Sequence, residues 1–479
     1  MSKSRILNKK FLFAAVLCLA CTTGIANADE DRNVKIINEN YQSITNKQNI
    51  LNYGSKWGAD THDSSGWILD IENTVFKNNT QSGKDNGLII KGCSTPIVLK
   101  NVKILNNKST GNSPIIDVWK GAANEVSDGD APNHDSIITI INSEISGNNN
   151  EMFLQKNAVG NIIAQNGGTV EFSDNGKNNT FRIMSNASGA IVNFNADSDS
   201  KVIINDILQD SDNKTFININ KSGLSYQGLI KNSETSKYEP HTYEITETGG
   251  EYNFNALLKA GTLNVYNDAN IKFGSYEHPN GDNPVTTYGS LNVQNFTNDT
   301  NGGTLDFRNN NADSNSLGNV KLGSDIKVNI DFISSDLTTA TGDTFTSNVN
   351  AASNGKIYID KINLNLPDGK NFKDITGNFN FQVLKNTGSG NNLQLALSGE
   401  ALELFGEAQN PIRKMMENEH YVGESKHDSL NAETKTTNFS DKFWNYHLEG
   451  NADVYCMLFY SNKNVRIFAL ISRVDFSQP

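Results

Sequence analysis

Cysteine is almost missing from this chain, with four in 479 residues. Two of them, Cys18 and Cys21, stand in an N-terminal apolar stretch, which leaves Cys93 and Cys456. That is too few for a disulfide framework, so packing must hold the fold. Outside the leader there is no C-x-x-C, there is no H-E-x-x-H, and the seven histidines are scattered, so no zinc spacing appears. Basic charge is also short. Lys and Arg number 41 against 53 Asp and Glu, a net charge of −12, which argues against nucleic acid or an anionic membrane as a partner. Proline is scarce (9 residues) and only 20% of residues are charged, unlike a typical disordered chain. G-x-S-x-G, Walker and dinucleotide motifs and the nonapeptide Ca²⁺ repeat are absent.

No apolar run is long enough to cross a bilayer as a helix. The longest, Phe11 to Ala20, falls well short of the roughly 20 residues required. With Lys3, Arg5, Lys9 and Lys10 before it and Ala26-Asn27-Ala28 after it, it reads as the core of a signal peptide over residues 1–28, with cleavage set by Ala26 and Ala28. A lipidation site at Cys21 is the alternative. The leader holds four of the basic residues and no acid, so the remainder carries a net charge of −16.

What the chain does have is a repeat. Short alternating runs follow glycine turns: Gly168-Thr169-Val170-Glu171-Phe172, Gly261-Thr262-Leu263-Asn264-Val265, Gly289-Ser290-Leu291-Asn292-Val293 and Gly303-Thr304-Leu305-Asp306-Phe307. Each run has one apolar face that only stacked neighbours can bury. Earlier, Asn73-Thr74-Val75-Phe76 precedes Asn78-Asn79. Asn101-Val102-Lys103-Ile104 precedes Asn106-Asn107, and Asn142-Ser143-Glu144-Ile145 precedes Gly147-Asn148. Three short strands per unit are what one coil of a parallel β-helix requires. The expected fold is therefore an all-β, right-handed parallel β-helix. It would have a polar N-terminal cap over 29–66, a solenoid over 67–400 of about 14–16 coils, and a rod some 70 Å long at ~4.8 Å per stacked strand. A helix-like linker over 401–442 and a small mixed or irregular tail over 443–479 would follow.

Asparagine contributes 72 residues. Turn chemistry explains their positions, because Asn tolerates left-handed backbone and stacks into amide ladders. Sugar binding by exposed amides is the alternative.

With its export leader, Asn/Gly-rich array and few cysteines, residues 1–400 resemble the passenger of a Gram-negative autotransporter of the adhesin type. The G-x-L-x-[VF] strands and Thr341-Gly342-Asp343-Thr344-Phe345 look like the later part of such passengers. Phe76-Lys77-Asn78-Asn79 and Phe172-Ser173-Asp174-Asn175 fit the F-x-x-N repeat of polymorphic outer-membrane proteins. The resemblance implies a cell-surface or secreted rod that uses the inner-membrane secretion machinery and an outer-membrane translocator. That barrel has no counterpart here, since only about 80 residues follow the array, against the 250 or so a barrel needs. Either the coding frame is broken, or this is a fragment, or export uses another partner; with no barrel supplied, the product would be a vestigial periplasmic one.

β-Helices also carry polysaccharide lyases and glycoside hydrolases, which need clustered carboxylates on one face. The richest acidic cluster is Asp128, Asp130 and Asp135 beside His134, in an insertion at 121–135. Pro132 takes its third Ca²⁺-ligand place. It reads as a solvated contact loop, and Asp197-Ser198-Asp199 and Asp210-Ser211-Asp212 read as ordinary turns. The expectation is a non-enzymatic adhesin without catalytic, metal or cofactor residues. It would bind a host or bacterial surface glycan or protein through that insertion and through the loops at 222–240 and 275–287.

Overall fold

The computed structural model describes residues 33–401 with interruptions, chiefly 53–67, 82–89, 120–136, 371–379 and 387–392. It also describes three C-terminal strands at 446–448, 452–460 and 466–474. Two long sheets dominate. The first runs through Asn33–Ile37, Ile68–Glu72, Ile97–Lys100, Ile137–Ile141, Val159–Ala164, Ile191–Ala196 and Phe216–Ile219, then Leu257–Val265, Ser290–Asn298, Ser314–Leu322, Thr344–Asn348 and Asn380–Asn386. The second takes the next segment of each coil, from Asn40–Gln42 to Leu393–Leu397. A third face is built by Leu51–Asn52, Ile90–Cys93, Ile116–Trp119 and Met152–Gln155. The pairings between coils are parallel (for example Val159↔Ile191 and Phe76↔Ile104). The chain is thus an all-β parallel solenoid, as the repeat requires.

The sequence repeat maps onto the register. Phe76, Ile104, Ile145, Phe172, Ile204, Phe254 and Phe273 are successive partners up the second sheet, and all lie in the core. Phe273 then stacks on Phe307 with ring centroids 4.3 Å apart. The turn asparagines divide into two kinds. Asn73, Asn101 and Asn142 have positive φ, and so do Asn78, Asn106 and Gly147. These supply the left-handed corners that Asn and Gly adopt most cheaply. At Gly147 a Cβ would sit 2.2 Å from Asn106 Oδ1, which is why the third repeat has glycine there.

The next residue in each unit forms a buried ladder. Asn79 Nδ2 donates to Asn107 Oδ1 (2.9 Å), Asn107 Nδ2 to Asn148 Oδ1 (2.9 Å) and Asn148 Nδ2 to Asn175 Oδ1 (2.7 Å). Asn175 Nδ2 donates to Asp206 Oδ2 (2.8 Å). The backbone N–H of each asparagine donates to the same acceptor residue. On the outer side of the first sheet a second ladder runs the other way. Asn264 donates to Asn218, Asn218 to Asn193 and Asn193 to Asn161, at 2.8–2.9 Å.

Three expectations change. Residues 33–52 give a strand to each of four sheets, so they are the first coil and not a separate polar cap. Among the described residues the first sheet has twelve parallel strands before it reverses, against the 14–16 coils expected, because inserted segments such as the two hairpins enlarge several coils; twelve rungs make a rod of roughly 55 Å. In the tail, expected to be mixed or irregular, the described residues form antiparallel strands. Ala452–Tyr460 pairs antiparallel with Asn380–Asn386 and with Arg466–Val474, and Tyr446–Leu448 pairs antiparallel with Leu393–Leu397. The helix-like linker lies outside the described residues but for Ala401.

Candidate contact surfaces

The two segments expected to be loops at 222–240 and 275–287 are β-hairpins. Leu224–Lys231 pairs antiparallel with Tyr238–Ile245, and Ser275–His278 with Val285–Tyr288. Both fold back toward the N-terminus and dock on coils formed much earlier in the chain.

The first hairpin lies over the outer side of the first sheet. Tyr226, Ile245, Leu224 and Tyr243 pack there on Val98, Ile141 and Ile163, with Tyr226 stacked on Tyr243 at 5.0 Å. Beneath it Lys35 Nζ meets Asp70 (2.8 Å) and Glu72 (3.1 Å). Burial pulls the Lys35 pKa down, but the two carboxylates outweigh it and hold the group above its ordinary value. Asp70 also accepts the Leu229 backbone N–H (2.8 Å), so the hairpin satisfies a carboxylate 159 residues away. Asn33 Nδ2 donates to the Tyr238 carbonyl (3.3 Å), fixing the tip over the first coil. Tyr226→Ala should weaken docking by about 3–5 kcal/mol, the usual effect of removing a buried aromatic. Hydrogen exchange of the 224–245 amides should then speed up while that of the solenoid core does not. Unchanged exchange in the hairpin would contradict this docking.

The second hairpin is held by Asp174, a residue with positive φ at a turn of the second sheet. His278 Nδ1 lies 2.9 Å from Asp174 Oδ1, and Nε2 lies 3.0 Å from Thr287 Oγ1. The Tyr276 hydroxyl donates to Asp174 Oδ2 (3.1 Å). An acid, an imidazole and a hydroxyl in a row have the order of a nucleophilic triad. Here the Thr287 hydroxyl donates to the Asn255 carbonyl (2.8 Å), and His278 is only 2% exposed. The hydroxyl proton is committed and the base is sealed from solvent, so the row acts as a clasp.

Among the described residues, carboxylates also converge around Asp343. Asp343, inside the Thr341–Phe345 stretch, accepts the backbone N–H groups of Asp331 (2.7 Å) and Asp313 (3.0 Å). Asp331 accepts those of Asn309 and Asn310, both at 2.7 Å. Burial pushes Asp343 up to about 8, and neighbouring Asp331 and Asp313 add to the rise. These oxygens cap turn amides in successive coils, as buried carboxylates must. They are already engaged by backbone donors, which accounts for the conformation of the Thr-Gly-Asp-Thr-Phe turn. Asp197 and Asp210 likewise accept backbone N–H groups at turns (Asn166 N, 2.5 Å; Thr215 N, 2.6 Å). Among the described residues no group of His, Cys, Asp or Glu is arranged to hold a metal ion.

Asp128, Asp130, His134 and Asp135, and the leader with Ala26 and Ala28, lie outside the described residues. The asparagines of the outer ladder, Asn161, Asn193 and Asn218, are at most 6% exposed and spend their amides on one another. Sequence reading missed the docking platform. Its signal was Ile137–Ile141, apolar almost throughout instead of alternating, the pattern of a strand buried on both faces. The large apolar side chains that remain exposed among the described residues are Ile191, Phe216, Ile230, Val285 and Tyr288. The first two are register partners on the first sheet, and the other three belong to the hairpins. Compared with protein-family models, curated proteins and solved structures, the chain matches none of them.

Proposed function

We propose that this chain is an exported contact rod, an adhesin of the autotransporter-passenger type, and that the two docked hairpins are its contact elements. One observation carries the reading: among the described residues, three of the five exposed large apolar side chains, Ile230, Val285 and Tyr288, stand on the hairpins. Insertions in repeat proteins are where binding elements are carried, and hairpins clasped to a rigid scaffold present their side chains with little ordering penalty. The leader over 1–28 supports export, and the acidic remainder supports a protein or glycan partner over nucleic acid.

Beads coated with the purified chain should adhere to cell monolayers or immobilised glycans. The combined variant Ile230→Asp, Val285→Asp and Tyr288→Ala should lower adherence about tenfold or more, because weak contacts multiply across a bead. Its thermal midpoint should stay close to that of the parent, since these side chains are exposed. Absence of adherence by the parent chain, or equal adherence by the variant, would overturn the proposal.

A further inference from the structure

We infer that the second hairpin is locked by a proton shared between Asp174 and His278, and that the lock opens as the solution turns alkaline. The clasp is made of polar contacts, each of which needs a hydrogen between its heavy atoms. They join the Tyr276 hydroxyl to Asp174 Oδ2 (3.1 Å), Thr287 Oγ1 to the Asn255 carbonyl (2.8 Å), His278 Nδ1 to Asp174 Oδ1 (2.9 Å) and His278 Nε2 to Thr287 Oγ1 (3.0 Å). Tyr276 supplies the first hydrogen and keeps it, since burial and the Asp174 charge push the phenol up to about 12. Thr287 supplies the second. A carbonyl brings no hydrogen, and two oxygens at 2.8 Å repel without one between them, so the hydroxyl cannot turn to the imidazole instead. The two contacts of His278 must therefore draw both hydrogens from the Asp174–His278 pair. A carboxylate beside a neutral imidazole holds only one. The pair must hold two, as carboxylate and imidazolium. Placing the shared proton on Oδ1 instead of Nδ1 leaves that count the same.

Loss of one proton sets lone pair against lone pair, either at Nε2 and Thr287 Oγ1 or at Nδ1 and the carboxylate. Solvent has little access to relieve it, because His278 is 2% exposed. The hairpin can leave as a unit. Its strands are paired with each other, and the Gly289 N–H to Gly274 carbonyl bond (2.7 Å) closes its root, so the coil beneath continues without it. The ionisable groups around the pair come from several elements. Tyr276 shares its strand, and Glu171 and Asp206 of the second sheet act on the same phenol. Asp206 also feels Asp174. Lys272, an exposed residue, runs past Gly274 at the hairpin root. Ionisation of Asp206 favours a neighbouring cation, so it opposes release and cannot be its cause. The clasped hairpin binds one proton more than the released one does on the alkaline side. The lock is therefore complete at acid pH and lost as pH rises, by at most about tenfold per pH unit.

The test is hydrogen exchange of the full-length chain at pH 6 and pH 8.5, read as protection of the 275–288 amides relative to the 159–173 amides and corrected for the intrinsic pH dependence of exchange. In the parent this ratio should fall at least tenfold. Thr287→Val removes the oxygen that forces a hydrogen onto Nε2, and should reduce the fall to less than threefold. Asp206→Asn should keep the full response. A constant ratio in the parent, a full response in Thr287→Val or a lost response in Asp206→Asn would overturn the inference. It concerns the clasp alone, so it stands or falls separately from bead adherence.

Discussion

Asn148→Ala should destabilise the rod by about 3–5 kcal/mol, more than any surface substitution in the chain. Asn148 is the middle rung of the inner ladder and 1% exposed. Its Oδ1 takes both the backbone N–H and the side-chain amide of Asn107 (3.0 and 2.9 Å), and its own Nδ2 serves Asn175 Oδ1 and the Ile104 carbonyl. Removing it leaves two buried donors and part of the capacity of two buried acceptors without partners, where water has no easy access. Each such loss costs about 1–3 kcal/mol, reduced somewhat by local relaxation. Asn101→Gly is the matched comparison. It deletes an exposed amide bond to Asn73 (3.0 Å) while keeping the left-handed corner, and should cost less than about 1 kcal/mol. Urea unfolding of the two variants decides the point. Equal, small losses would mean that the ladder follows from the stacking and does not stabilise it.

Stability should fall as pH rises from about 4 to about 8, and Asp206→Asn should remove part of that slope. The ladder ends on Asp206, an acceptor-only terminus that takes Asn175 Nδ2 and the Asn175 N–H. Burial pushes its pKa up to about 7, against the pull of the Asn175 hydrogen bonds, and the nearby Asp174 charge raises it further. Asp343 is raised in the same direction, to about 8. A carboxyl whose pKa is higher folded than unfolded binds its proton more tightly in the native state. Its stabilising contribution is complete below about pH 4 and is lost as pH climbs through the folded value. The combined effect between pH 4 and 8 is on the order of a few kcal/mol. Asparagine at 206 would repeat the earlier rungs, one Oδ1 accepting both donors, with no charge to bury. Thermal midpoints across pH 4–9 should therefore rise for Asp206→Asn above pH 7 and fall more gently than for the parent. A parent midpoint that does not fall over this range would contradict the argument.

The coil was legible in the sequence because its constraints are local. Asn73, Asn78 and Phe76 recur at fixed offsets, since left-handed corners and inward-facing rings must repeat wherever a coil turns. The long excursions were legible only as interruptions. Nothing near Leu229 announces Asp70 as its partner, and nothing near His278 announces Asp174, because those pairings span 159 and 104 residues and leave no period. The first coil was misread for a related reason. Residues 33–52 lack the strong apolar alternation of later coils, and Val34, Ile36 and Tyr41 are only partly buried against the core.

A stack in which each layer touches only the next should melt like a one-dimensional lattice, frayed from either end and insensitive to damage a few layers away. The backward-folding hairpins break that independence. One joins the layer near residue 220 to the layers holding Asn33, Asp70 and Val98, and the other joins the layer near Phe273 to Asp174. Layers separated by several rungs thereby share one fate. The span from Asn33 to Tyr288 should unfold as a single cooperative block with a steep denaturant dependence, while the layers beyond it, bound only to their neighbours, should loosen gradually and first.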